Sequence, residues 1–125
     1  MGIFERMRRS FGGSGGVGTG ARLRGMSDTD VAHLEAWVAE RKGVEAFVEP
    51  ETFVNQLSVV LIAKDGEWTR RRVGDAKTAR KLGERLSVPI YDVQKTGYPQ
   101  RMREYDERQR ILQRREQIKR DQQPY

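Results

Sequence analysis

The sequence predicts a small α+β domain with elements in the order α-β-β-β-α-β, a mainly antiparallel sheet, and a charged helix after it. Three observations predict it. Two stretches carry apolar residues at helical spacing behind N-capping residues. Three strand-like runs lie between them and a fourth after the second, two of them joined by Lys64-Asp65-Gly66. A chain of 125 residues has room for one such unit and not two.

The first helix opens in Ser27-Asp28-Thr29-Asp30, where short polar side chains can accept from free helical N–H groups. Val31, Leu34 and Val38 form its apolar face with Trp37 beside it, and Arg41-Lys42-Gly43 supplies a basic end and a glycine stop. Val44, Ala46 and Val48 alternate with Glu45, Phe47 and Glu49 as a first strand, ended by Pro50. Thr52 to Ala63 reads as a long second strand and Trp68 to Val73 as a third. Asp75 caps a second helix with Ala76, Ala79, Leu82 and Leu86 on one stripe, and Val88 to Val93 reads as a final, edge strand.

The register of the hairpin follows from its turn. A two-residue Asp-Gly loop would set Leu61 against Arg70 and Val59 against Arg72, mixing core and charge. A three-residue loop with Gly66 in the left-handed region instead pairs Leu61 with Thr69 and Leu57 with Val73. It also pairs Ile62 with Trp68, Val60 with Arg70 and Ser58 with Arg72. One face is then mostly apolar, with Arg71 the exception, and the other sets a ring and two guanidinium groups over short aliphatics. The three-residue loop is the consistent choice.

Charge separates the tails from the body. The formal net charge is +6. Residues 1–25 hold five basic residues and one acid, residues 26–99 hold eleven and twelve, and residues 100–125 hold eight and five. Four regions follow: an amphipathic basic segment over 1–11, a glycine-rich linker over 12–26, the α+β domain over 27–99, and a basic helix or tail over 100–125. In the first, Ile3, Phe4, Met7 and Phe11 recur at nearly helical spacing, an anchor that could fold onto a protein groove. Met26 is an alternative start, which would make that segment a translated leader. Peripheral membrane contact through it stays open. In the last region Pro99 sits at a helix start, and Glu104–Arg108, Asp106–Arg110 and Glu116–Arg120 are i, i+4 pairs.

The chain contains no cysteine, so disulfides and thiolate metal sites are excluded and a cytoplasmic location is expected. No run approaches the roughly 18 apolar residues of a membrane span. The single histidine, His33, lies one turn before Trp37, and nothing in the chain completes a triad or zinc set around it. Gly16, Gly18 and Ala21 match a loosened dinucleotide fingerprint, but glycines rather than a strand precede them, so the tract reads as linker. The element order resembles the core of restriction-endonuclease-like nucleases. Their chemistry needs acids on the second strand and an acid-x-Lys on the third, where this chain has Asn55-Gln56 and Trp-Thr-Arg-Arg-Arg-Val. No cofactor is implied by these residues.

Trp68, Arg70, Arg71 and Arg72 form the densest aromatic-basic cluster in the domain. Guanidinium forks bind phosphates and a ring can stack a base, so such a face could hold single-stranded RNA. The plainer reading is an outer sheet face on which arginine stems cover Val60 and Ile62. Arg101, Arg103 and Arg108 extend the basic candidates into the last helix.

Asp65-Gly-Glu-Trp-Thr-Arg-Arg-Arg72, Val88-Pro-Ile-Tyr-Asp92 and Gly97-Tyr-Pro-Gln-Arg-Met-Arg103 resemble a group of small actinobacterial proteins of uncharacterised function, for which oxidoreductase is a common automatic label. The resemblance covers roughly residues 43–105 and carries no catalytic residues across.

The expected function is that of a non-enzymatic, cytosolic accessory protein docking on a large anionic assembly, a ribonucleoprotein or other nucleic-acid-containing machine, through Trp68, Arg70, Arg72 and the basic tails. The competing expectations are a small oxidoreductase-like enzyme with a cofactor site invisible in sequence, and a protein-protein adaptor anchored by the N-terminal segment.

Overall fold

The computed structural model describes Leu23 and residues 25–123. The N-terminal anchor residues Ile3, Phe4, Met7 and Phe11 and the glycine tract lie outside the described residues. The elements are α1 (Asp28–Ala39), β1 (Glu45–Glu49), β2 (Leu57–Ile62), β3 (Trp68–Gly74), α2 (Ala76–Leu86), β4 (Ile90–Asp92), a short α3 (Val93–Thr96) and α4 (Gln100–Gln122). This is the α-β-β-β-α-β order followed by a C-terminal helix. The four strands form one sheet in the order β3-β2-β1-β4, antiparallel except where β4 lies parallel to β1.

Strand alternation divides the sheet between two cores. Ala46, Val59, Leu61 and Val73 face α1 and α2, where they meet Val31, Leu34, Ala79, Leu82 and Leu86. Full burial of one such aliphatic side chain contributes about 1.5–3 kcal/mol. Leu23 and Met26, within the stretch read as linker, are buried in this same cluster. On the opposite face Phe47, Val60 and Ile62 enclose Met102 of α4, with Trp68, Val93 and Tyr98 around them. The second face is thus not an outer one: the C-terminal helix crosses it.

The caps are those the sequence signals. Ser27 accepts from the Asp30 N–H at 3.0 Å and Asp75 from the Thr78 N–H at 2.7 Å. On α2 the buried stripe is Thr78, Ala79, Leu82, Gly83 and Leu86, while Ala76 is exposed. Pro99 is the N-cap of α4 rather than its first residue. The second strand is shorter than its run of β-branched residues, because Thr52 Oγ1 accepts from the Val54 and Asn55 N–H groups and Thr52 N–H donates to the Asn55 carbonyl at 2.8 Å. Residues 52–55 therefore close a turn instead of joining the ladder. Val93 likewise leaves the last strand, because Asp92 accepts from the Gln94 N–H and opens α3.

The β2–β3 register matches the three-residue loop: Ile62 faces Trp68, Leu61 faces Thr69, Val60 faces Arg70 and Ser58 faces Arg72. Gly66 has φ of +97° and donates its N–H to the Ala63 carbonyl. One pairing differs. Leu57 opposes Gly74 and not Val73, because a bulge between Leu57 and Ser58 shifts the last pair.

Gly66 also lies under α4. A Cβ there would stand 2.0 Å from the Arg101 carbonyl oxygen and 2.8 Å from Tyr105 Cβ, whereas at Gly74, with φ of +93°, it would meet nothing within 4 Å. Gly74→Ala carries the backbone penalty alone, about 1–2 kcal/mol. Gly66→Ala adds displacement of α4, for a loss on the order of 3–4 kcal/mol. Urea unfolding midpoints of the two variants measure the difference; equal losses would show that α4 does not press on the loop.

Candidate nucleic-acid interface

Trp68 and Arg70 are two apart on β3, so both side chains point to the face that α4 crosses. There they are already engaged. Trp68 is half-buried and donates its indole N–H to Asp106 Oδ1 of α4 at 2.9 Å. Arg70 forks onto Glu49 at the end of β1, with Nε to Oε1 at 2.8 Å and Nη2 to Oε2 at 2.9 Å, and its guanidinium lies 5.1 Å from the Trp68 ring centroid. The Tyr98 hydroxyl donates to the same Glu49 carboxylate.

This cluster sets its own ionisation. The forked hydrogen bonds from Arg70 lower the Glu49 carboxyl below its ordinary value, against an opposing push from burial, and the Tyr98 hydroxyl lowers it further. Arg70 is raised in return by the same bonds. Burial raises Tyr98, and the neighbouring carboxylate adds to the effect. Glu49 retains 18% of its side-chain exposure and Arg70 44%, which leaves one side of the fork open to solvent.

The α4 candidates Arg101, Arg103 and Arg108 are also in use. Arg101 donates to the Ala63 carbonyl at 2.9 Å and to Glu45 Oε1 at 2.7 Å, tying the helix to the ends of β1 and β2. Arg103 reaches the Tyr98 carbonyl at 3.4 Å, and Arg108 donates to the Asp65 carbonyl in the hairpin loop. Of the expected i, i+4 ion pairs only Glu116–Arg120 forms, at 3.7 Å. Asp106 is taken by Trp68, Arg108 by the loop, and Arg110 by Glu107. Of the sheet-face candidates, Arg72 alone is exposed and carries no partner among the described residues. Arg71 folds back along the edge strand onto the Arg70 carbonyl and Thr69 Oγ1.

Two other groups of cations are free. Lys77, Arg80 and Lys81 stand exposed on the outer ridge of α2 without partners among the described residues, and Arg114, Arg115 and Lys119 do so on the last three turns of α4. The α2 ridge lies outside the sites expected from the sequence. Its signal was there: basic residues at i, i+3 and i+4 opposite that stripe. The exposed loop aromatic Phe53 was missed as well, hidden inside a run read as strand.

A cleft of about 410 Å³ between Glu40–Lys42 and Ala63–Glu67 is lined almost wholly by charged residues. Arg41 spans it, stacked 4.2 Å from the Trp37 ring centroid and forked onto Glu67. His33 is exposed on α1. Among the described residues no group of three or more histidine or acidic side chains converges as a metal site, and no helix is long and apolar enough to cross a membrane. No protein-family model matches this chain, and no match to it emerges among curated proteins or solved structures.

The Glu49 carboxyl titrates lower in the folded chain than its ordinary value of 4.5, so its contribution is present above that pH and lost as the pH falls through the folded value. Chemical denaturation of wild type and Glu49→Gln, compared from neutral pH to acid, is expected to show a stability gap that closes on acidification below about pH 4.5. A gap independent of pH would remove Glu49 from the acid response.

Proposed function

We propose that this protein is a non-enzymatic binding protein that docks on a nucleic-acid-containing assembly, with the free half of α4 as its principal contact. The observation that carries this reading is the division of α4 into a docked half and a free one. The helix has 23 residues, a length of about 34 Å. Its first turns bury Met102 and hold Trp68, Ala63 and the hairpin loop. Beyond Ile111 every described side chain is exposed.

That free half is basic. Residues 110–122 hold five Lys or Arg against two acids, with Arg114, Arg115 and Lys119 unpaired. A solvated helix with unneutralised cations and no packing duty suits a polyanion, whose condensed counterions are released when the cations replace them. The ridge Lys77, Arg80 and Lys81 offers a second stretch of the same character. A cytoplasmic setting accords with an assembly of this kind. The sheet-face contact foreseen at Trp68 and Arg70 moves to these cations, because Trp68 holds Asp106 of α4 and Arg70 is forked onto Glu49.

Binding of a fluorescein-labelled single-stranded RNA, followed by anisotropy across a salt series, tests the reading. Replacing Arg114, Arg115 and Lys119 with Gln is expected to leave the melting temperature unchanged and to reduce the slope of log K against log salt by about 2. An unchanged slope and affinity would overturn the assignment to α4.

A further inference from the structure

Trp68 was the expected stacking residue, and its indole is committed to Asp106 and Arg70. The other described aromatics are largely occupied too. Phe47 is buried, Trp37 lies under Arg41, and Tyr98 and Tyr105 are half-buried. Tyr91 is 39% exposed and its ring leans on Phe47. One aromatic differs from all of these. Phe53, in the loop between β1 and β2, is 104% exposed relative to a free residue, and Val54 beside it is 80% exposed.

The loop that presents them is not slack. Thr52 closes on Asn55 by a backbone bond of 2.8 Å, and its hydroxyl accepts from the Val54 and Asn55 N–H groups at 3.3 and 3.0 Å. The closed turn fixes the backbone that presents the ring, so little backbone freedom remains to be lost on contact. Two cations without partners among the described residues lie at the same end of the sheet. Arg72 faces Ser58, next to the residue where the loop rejoins β2, and Lys77 lies in the first turn of α2, which starts where β3 ends. Glu51 is the acid of the loop, exposed beside the ring.

We propose that Phe53 is a base-stacking residue, so that the nucleic acid this protein binds is a single strand, with its phosphates on the Arg72 and Lys77 side of the loop. The inference rests on the polyanion reading above and narrows it. An exposed π-face takes any unpaired base, whereas in a duplex each base face is covered by its neighbours. Glu51, exposed in the same loop, repels phosphate, and Arg72 and Lys77 at this end of the sheet attract it. An aliphatic side chain of similar size offers no such face, which separates stacking from simple burial of an apolar knob.

The test compares a labelled single-stranded oligouridylate with an RNA duplex of equal length. Wild type is expected to favour the single strand. Phe53→Ala and Phe53→Leu are expected to weaken single-strand binding about tenfold to a hundredfold, with duplex binding and the salt slope unchanged, and Phe53→Trp to restore it. Full affinity in Phe53→Leu would overturn stacking. Phe53-dependent sedimentation with phosphatidylcholine vesicles, with single-strand binding unaffected by Phe53→Ala, would overturn it by assigning the tip to lipid. If the α4 variant loses affinity while Phe53→Ala does not, the inference falls and the polyanion reading stands. Failure of wild type to bind either RNA sinks both.

Discussion

The docking of α4 across the second face of the sheet is the constraint on which the rest depends. A four-stranded sheet with Val60 and Ile62 almost fully excluded from water needs a cover on both faces, and α1 and α2 supply only one. Met102 plugs the other face against Phe47, Val60 and Ile62. A single methionine is a small plug for that area, and polar contacts around it complete the fit. Arg101 reaches the Ala63 carbonyl and Glu45, Trp68 reaches Asp106, and Arg108 reaches the hairpin loop. Each satisfies a carbonyl or carboxylate while holding the helix in one position, so their value lies in orientation as much as in energy. At Gly66 loop and helix come close, and it has no side chain to obstruct the approach.

That docking also sorts the charges. Arg70, Arg101 and Arg108 at the α4–sheet junction are consumed by it or by their own neighbours, and the fork between Arg70 and Glu49 shows how a strand arginine can be neutralised from across a sheet. Lys77, Arg80 and Lys81 on the outer ridge of α2 and Arg114, Arg115 and Lys119 on the far turns of α4, which point away from the junction, find no acid among the described residues. Residues 26–99 hold eleven basic residues and twelve acids, yet the free charge is not spread evenly over their surface. A count of residues by segment cannot show this, because it does not know which cations are paired.

The hairpin was legible in sequence for a definite reason. A one-residue slip would have set Leu61 and Val59 against Arg70 and Arg72, so the apolar pattern admitted only one of the two registers the Asp-Gly turn allows. The caps at Ser27 and Asp75 were legible because a side-chain oxygen three residues ahead of a free N–H is a local matter. The cover over the second face was not. It depends on Met102, one apolar residue among charges, and on contacts spanning some forty positions of chain that no local pattern encodes. The tip at Phe53 was concealed by its own composition: Thr52, Phe53 and Val54 read as strand, and only the capture of two N–H groups by the Thr52 hydroxyl turns them out of the sheet.

The two surfaces on which the proposed reading rests leave the domain at opposite ends of the strands. The Phe53 turn lies where β1 ends and β2 begins, and α4 departs over the hairpin loop that joins the far end of β2 to β3. β2 has six residues, so these ends are about 20 Å apart. A compact anion cannot touch both. A linear polymer of a few nucleotides can, with a base on the ring and phosphates along the helix. The separation also makes the contributions divisible, since the α4 cations act through salt-sensitive charge and Phe53 through a planar face that salt hardly affects. A ligand that needs both must therefore be charged, extended and in possession of exposed aromatic faces, and a single-stranded nucleic acid is the polymer that combines them.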